Sequence, residues 1–182
     1  RGGEITGNVA DGSGGGIFDN AGQLYVFDTD LRGNSAARAG GGIELLASDA
    51  VLDRVTLDAN STGPTPGNGG GLHLTGAGDV VVSRSTVTGN VASAEGGGLW
   101  NSATGTMRVQ DTRVLANTAS GAAADQGGGG LFNDGGTMFV TRCTVDANVA
   151  DGAAGSGGGL FNNLGLATVR ASSFDDNTAS RA

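Results

Sequence analysis

The sequence predicts an all-β solenoid: a single-stranded right-handed parallel β-helix of about 6–7 coils, each of 26–31 residues. Three observations predict it. A Gly-Gly-Gly triplet followed by Ile or Leu starts at Gly14, Gly40, Gly69, Gly96, Gly128 and Gly157. An Asn recurs at Asn8, Asn34, Asn60, Asn90, Asn117, Asn148 and Asn177. Between the two marks, apolar residues alternate with period two, which is the side-chain period of a strand.

Each element of the repeat has its own reason. From triplet to Asn the distance is always 20 or 21 residues, whereas from Asn to the next triplet it is 6, 6, 9, 6, 11 and 9. Stacked coils need this combination of a fixed stretch and one elastic corner, because insertions must leave on one face. Counting back from each Asn, the third position reads Ile5, Leu31, Leu57, Val87, Val114, Val145 and Phe174. The fifth is a mostly small column, with Thr29, Val55, Ser85, Thr112, Cys143 and Ser172. The eighth is Val26, Leu52, Val82, Val109, Val140 and Val169, and the tenth is Leu24, Ala50, Val80, Met107, Met138 and Ala167. These columns point inward and predict two or three strands of three to five residues per repeat. Asp28, Arg54, Arg84, Asp111 and Arg142 fall between them, as an outward column. The seven Asn are expected to form a buried structural ladder at a sharp corner. Asn tolerates the left-handed conformation there, the small residue before it (Gly7, Gly33, Ala59, Gly89, Ala116 and Ala147, with Asp176 departing) lets the chain turn, and stacked amides can hydrogen-bond from coil to coil. Coils add about 4.8 Å each, so six repeats make a rod of about 30 Å.

Composition narrows the function. Of 182 residues, 37 are Gly and only 2 are Pro, which excludes collagen and Pro-rich linkers. The formal net charge is −8; all ten basic residues are Arg and fifteen of the eighteen acids are Asp. Such a chain lacks the basic face that nucleic acid requires. No apolar run reaches the about 20 residues of a membrane-spanning helix. Cys143 is the sole Cys, so no internal disulfide forms. The whole chain, residues 1–182, reads as one β-helix domain. It opens at Arg1 in mid-repeat without a Met and closes at Ala182 just before a triplet would begin, as expected of a processed product or part of a longer chain.

The segments Gly14–Phe18, Gly96–Trp100, Gly128–Phe132 and Gly157–Phe161, with Thr86–Asn90 and Thr144–Asn148, resemble the glycine repeats of bacterial surface and secreted right-handed β-helix proteins. Polymorphic outer-membrane proteins and autotransporter passengers are such proteins. The polymorphic group sets F-x-x-N after its glycines. Here Asn follows the ring at once, in Phe132-Asn133 and Phe161-Asn162, so the broader β-helix group is the better match. The resemblance implies export and exposure at a cell surface, as a stalk or adhesive segment.

Pectin-cleaving enzymes share this fold, so catalysis needs a test. Glycoside hydrolysis requires two carboxylates at fixed separation. Asp175-Asp176 is the only Asp-Asp pair, and it is expected to be a solvated end-coil turn. His73, the only His, is expected at the surface, and Cys143 is expected to be inert packing. No metal motif is present, and the expectation is no cofactor. Asp28, Asp30, Asp58, Asp146 and Asp175 on outer columns offer at most weak calcium binding.

The residue after each Gly-Gly-Gly-Ile/Leu is the more informative column. It holds Phe18, Trp100, Phe132 and Phe161, with Glu44 and His73 between. Alternation points it outward, which leaves two readings: local packing under the elastic loops, or an exposed binding or assembly stripe. Loops Ser61–Asn68, Thr118–Gln126 and Val149–Ser156 lie near that face and read as covers. The ends show no capping helix, and head-to-tail contact between bare ends would build a filament. The sequence-based expectation is a non-enzymatic extracellular rod: a filament subunit, stalk or adhesin segment that self-associates and meets glycans or a neighbouring cell surface. The alternative is a carbohydrate-binding or polysaccharide-active β-helix that uses the aromatic stripe.

Overall fold

The computed structural model describes residues 2–181; Arg1 and Ala182, the outermost residues of the expected domain, lie outside the described residues. Four parallel sheets run along the molecule, two of six strands and two of seven. Each coil therefore contributes four strands rather than the two or three expected. The first strand of a coil follows its triplet: Ile17–Asn20, Ile43–Leu46, Leu72–Thr75, Leu99–Asn101, Leu131–Asp134 and Leu160–Asn163 form the first sheet. Gln23–Phe27, Asp49–Asp53, Gly78–Ser83, Gly105–Gln110, Thr137–Thr141 and Leu166–Arg170 form the second. The third sheet holds the short strands before each Asn, from Gly3–Thr6 to Ser173–Asp175. The fourth holds the two-residue strands after each Asn, from Val9–Ala10 to Thr178–Ala179. Two residues are too few to show a period, which is why these last strands left no pattern in the sequence.

Register is one column per repeat position. Val82 pairs with Leu52 on one side and Val109 on the other, and Val87 pairs with Leu57 and Val114. The core is the interior of the coil, filled by Ile43, Leu72, Leu99 and Leu131 from the first sheet, Leu52, Val82 and Val140 from the second and Val87, Val114 and Val145 from the third. All are fully or almost fully buried.

Glycine is needed at the triplets for two different reasons. The first glycine is left-handed, with φ between 61° and 71° in all six coils. The third lacks room: a Cβ on Gly71 would lie 2.6 Å from the carbonyl oxygen of Gly98 in the next coil. The Asn corner turns on the residue before each Asn, as its small side chain suggested. The left-handed residue is the one before each Asn, namely Gly7, Gly33, Ala59, Gly89, Ala116, Ala147 and Asp176, not the Asn itself. A small side chain tolerates that conformation, which frees the Asn amide to point inward.

The column of Asp28, Arg54, Arg84, Asp111 and Arg142 is also a corner, with φ between 48° and 54°, rather than an outward strand position. A non-glycine residue held there costs about 1–2 kcal/mol. Charge pairing along the corner offsets part of that cost. Arg142 donates Nε and Nη2 to the two carboxylate oxygens of Asp111, both at 2.7 Å. Arg54 grips Asp28 the same way, and Arg84 reaches Asp53 of the preceding coil at 2.7 Å.

Candidate functional site

The seven Asn form one continuous amide ladder. Asn8 donates its backbone N–H and its Nδ2 to Oδ1 of Asn34, and the same two bonds recur at every step to Asn177. From Asn34 onward, each Nδ2 also donates to the carbonyl of the preceding coil's core residue, such as Leu57 for Asn90 and Val87 for Asn117. Asn34, Asn60, Asn90, Asn117 and Asn148 are 0% exposed, so each buried amide is satisfied by its neighbours alone.

A second amide ladder escaped the sequence reading. Asn101 donates Nδ2 to Oδ1 of Asn133 at 2.7 Å, and Asn133 does the same to Asn162. The column it occupies is apolar in two earlier coils, where Leu45 and Leu74 stand. Asn101 Oδ1, at that switch, finds no hydrogen-bond partner among the described residues. The signal was present as the Asn two places past each Leu of the later triplets.

The exposure expected as one reading of the aromatic column is corrected. Phe132 is 0% and Trp100 8% exposed, and Phe161 is partly covered; only Phe18 is open, at 51%. The rings do stack along the axis. His73 lies 4.3 Å from Trp100 between centroids, Trp100 lies 6.2 Å from Phe132 at an interplanar angle of 4°, and Phe132 meets Phe161 edge-on at 5.2 Å. The left-handed first glycine brings the chain ahead of the triplet close to the column in every coil, that of the open Phe18 included. A Cβ on Gly96 would come within 2.9 Å of that of Trp100. The residue before that glycine closes the contact: Glu95 Oε2 accepts the indole N–H of Trp100 at 2.9 Å. Burial, more than any other cause, pushes the Glu95 carboxyl above its ordinary range.

His73 is likewise not a surface residue. It is 5% exposed and lies beside Glu44, which is 3% exposed. Glu44 uses both oxygens, one 2.9 Å from His73 Nδ1 and one accepting the hydroxyl of Thr75 at 2.7 Å. Among the described residues, His73 Nε2 has no hydrogen-bond partner. The sequence signal was Glu44 and His73 one repeat apart in a single column. Cys143 is buried in the small column, with Sγ 3.4 Å from the carbonyls of Val109 and Thr141. Burial raises its thiol above the ordinary range, which suits packing better than nucleophilic chemistry.

Of the outer carboxylates considered for calcium, Asp28 pairs with Arg54, while Asp30 and Asp58 both reach Arg32. Hydrogen bonds from Arg54 hold Asp28 below the ordinary carboxylate range. Asp175 and Asp176 are both exposed, and Asp176 is the corner residue of the last coil. Among the described residues, no three His, Cys, Asp or Glu converge as a metal site would require. Among them, too, no helix is long and apolar enough to cross a membrane.

Beyond Phe18 and Phe174, exposed aromatics stand on the outer face of the second sheet. Tyr25 is 60% and Phe27 50% exposed, with ring centroids 6.3 Å apart. On the same face the Arg108 guanidinium lies 5.5 Å over the ring of Phe139. The signal is the ninth position before each Asn, which reads Tyr25, Val51, Val81, Arg108, Phe139 and Thr168 between two inward columns.

A family model described as a right handed beta helix region matches residues 1–164. No curated protein and no solved structure matches the chain.

Proposed function

The chain belongs to the right-handed β-helix family, and on that footing we propose that it serves as a non-enzymatic structural rod. The reading is an extracellular module of bacterial surface type, used as a stalk, filament subunit or adhesin segment. One observation carries it. The Asn ladder passes through all seven corners without a break, and two of the sheets span seven strands. Each coil is thereby locked to the next along the whole length, which is what a spacer or load-bearing element needs. Every sheet pairs coil to coil in one register, and the same pairing would join further coils, of this chain or of a second copy. The carbohydrate reading loses its support here, because three of the four rings on which it rested are covered.

The test is electron microscopy with light scattering of the purified chain. Filaments that grow by end-to-end addition, with a subunit rise near the ~30 Å of the stacked coils, are the expected result. Release of oligosaccharides from acidic polysaccharides, at a rate that follows protein concentration, would refute the non-enzymatic reading.

A further inference from the structure

We infer that this chain is an extensible tether: under tension along the rod it unwinds one coil at a time, with each corner Asn as the catch that holds the next coil. The inference rests on the structural-rod reading and gives that rod a mechanical activity.

The direction of the bonds carries it. Strands lie across the rod, and the partners of each are the equivalent strands in the coils before and after it. The bonds that join coils therefore run along the rod axis. The Gly33 N–H donates to the Asp58 carbonyl at 3.0 Å, and the Val91 N–H to the Asn60 carbonyl at 2.9 Å. A sideways load strains a whole row of such bonds at once. Tension carried by the backbone meets them in turn, because the chain is peeled from the neighbouring coil residue by residue. No disulfide opposes the peel, since Cys143 is the sole Cys.

Strand bonds alone would give a smooth peel; the corners make it stepwise. Asn117 Oδ1 accepts from the N–H and the Nδ2 of Asn90 at 3.0 and 2.8 Å, and Asn117 Nδ2 donates to the Val87 carbonyl at 3.0 Å. These three bonds join two coils at a single point, so parting the coils breaks them together. A fourth, from Nδ2 to Asn148 Oδ1 at 2.9 Å, passes the hold to the next coil. Asn34, Asn60, Asn90 and Asn148 are gripped in the same way. All five are buried, so water does not share these bonds until the coil has parted. Each catch therefore holds until it fails as a unit, and the strands between two catches follow at once.

The spacing of the catches sets the length released. Bonded corner Asn residues are 26, 26, 30, 27, 31 and 29 residues apart. An extended residue spans about 3.5 Å, and each coil gives up about 4.8 Å of rod, so one release lengthens the chain by about 85–105 Å. Coils interact only with their neighbours, so one can leave while the rest stay folded. The rod is stiff up to the load at which a catch fails, and beyond it lengthens in steps instead of breaking its attachment.

Optical tweezers pulling the 182-residue chain by handles on its two ends test this. The expected record is a staircase of six releases in that range. In Asn117→Ala one catch is gone, so the releases of 27 and 31 residues should fuse into a single one of about 190 Å. Asn133→Leu cuts the second amide ladder at a column where Leu45 and Leu74 stand in earlier coils, and should leave all six releases separate. One all-at-once release of the unmodified chain, or steps of other sizes, overturns the inference whatever the variants do, and leaves the rod reading standing. An unchanged staircase in Asn117→Ala also overturns it, as do fused steps in Asn133→Leu. A chain that lengthens from the start with no resolved resistance overturns the tether and the rod together.

Discussion

Replacing Asn117 by Ala should cost about 4 kcal/mol, and the structure supplies the arithmetic. Asn117 Oδ1 accepts from the backbone N–H of Asn90 at 3.0 Å and from its Nδ2 at 2.8 Å. Asn117 Nδ2 donates to the Val87 carbonyl at 3.0 Å and to Asn148 Oδ1 at 2.9 Å. Four bonds at about 1 kcal/mol each give the figure, and the buried Asn90 N–H left without an acceptor keeps it from being smaller. Asn8 is the internal control. It is exposed and only donates, through two bonds to Asn34 Oδ1, so water replaces what Asn8→Ala removes and the loss stays below about 1 kcal/mol. Asn117→Asp is the chemical control. It keeps an oxygen for Asn90 but sets the other against the Val87 carbonyl and Asn148 Oδ1, so it should be no milder than Ala. Urea unfolding followed by circular dichroism reads the global effect. Amide exchange at Asn90 reads the local one, since solenoids open in segments. The ladder reasoning fails if Asn117→Ala and Asn8→Ala differ by less than ~0.5 kcal/mol.

The remaining predictions test other parts of the frame. Gly71→Ala, whose Cβ would press on the Gly98 carbonyl, should cost about 1–3 kcal/mol in a melt, because backbone is met rather than a flexible side chain. His73→Phe strands the buried Glu44 carboxylate and should cost about 3 kcal/mol or more, whereas the Glu44→Leu/His73→Phe double variant should recover most of it; a double variant that melts no higher than the single one refutes this. Glu95 sits above its ordinary range through burial, so its charged form weighs against folding once pH rises past the unfolded carboxylate value. Glu95→Gln keeps an acceptor for Trp100, and its melting temperature should equal or exceed that of the unmodified protein at neutral pH, with the difference closing in acid. Asp28, Asp53 and Asp111 are held low, first of all by hydrogen bonds from Arg54, Arg84 and Arg142 respectively. Their contribution is present above the unfolded carboxylate range and is lost as pH falls through the lowered values, so an acid titration of Arg142→Ala should show a shallower loss of stability than the unmodified chain.

How much could be read in advance depends on which residues touch which. The period, the inward columns and the Asn ladder were legible because a parallel solenoid stacks equivalent residues on one another. A column in the sequence is then a column in space: Leu57, Val87 and Val114 are neighbours for no other reason than repeat position. The two-residue strands after each Asn were not legible, since two residues carry no period. Which residue of the corner is left-handed was open in the sequence, because Asn and the small residue before it both tolerate that conformation, and the inward-pointing amides decide for the small residue.

Exposure lay beyond the sequence altogether. Alternation says that Trp100 and His73 point away from the coil interior, and the structure agrees with the direction while burying both. Glu95, just ahead of its triplet, closes on Trp100, and His73 lies between Glu44 and the Trp100 ring. Tyr25 and Phe27 point away from the interior too, but no elastic loop precedes their strand, and they remain open to solvent. The sequence by itself determined the coil, its repeat and the residues that lock one layer to the next, because these are interactions between equivalent positions. Only the tertiary structure decided which outward face meets solvent, because that depends on where a loop of variable length comes to rest on a surface it does not repeat.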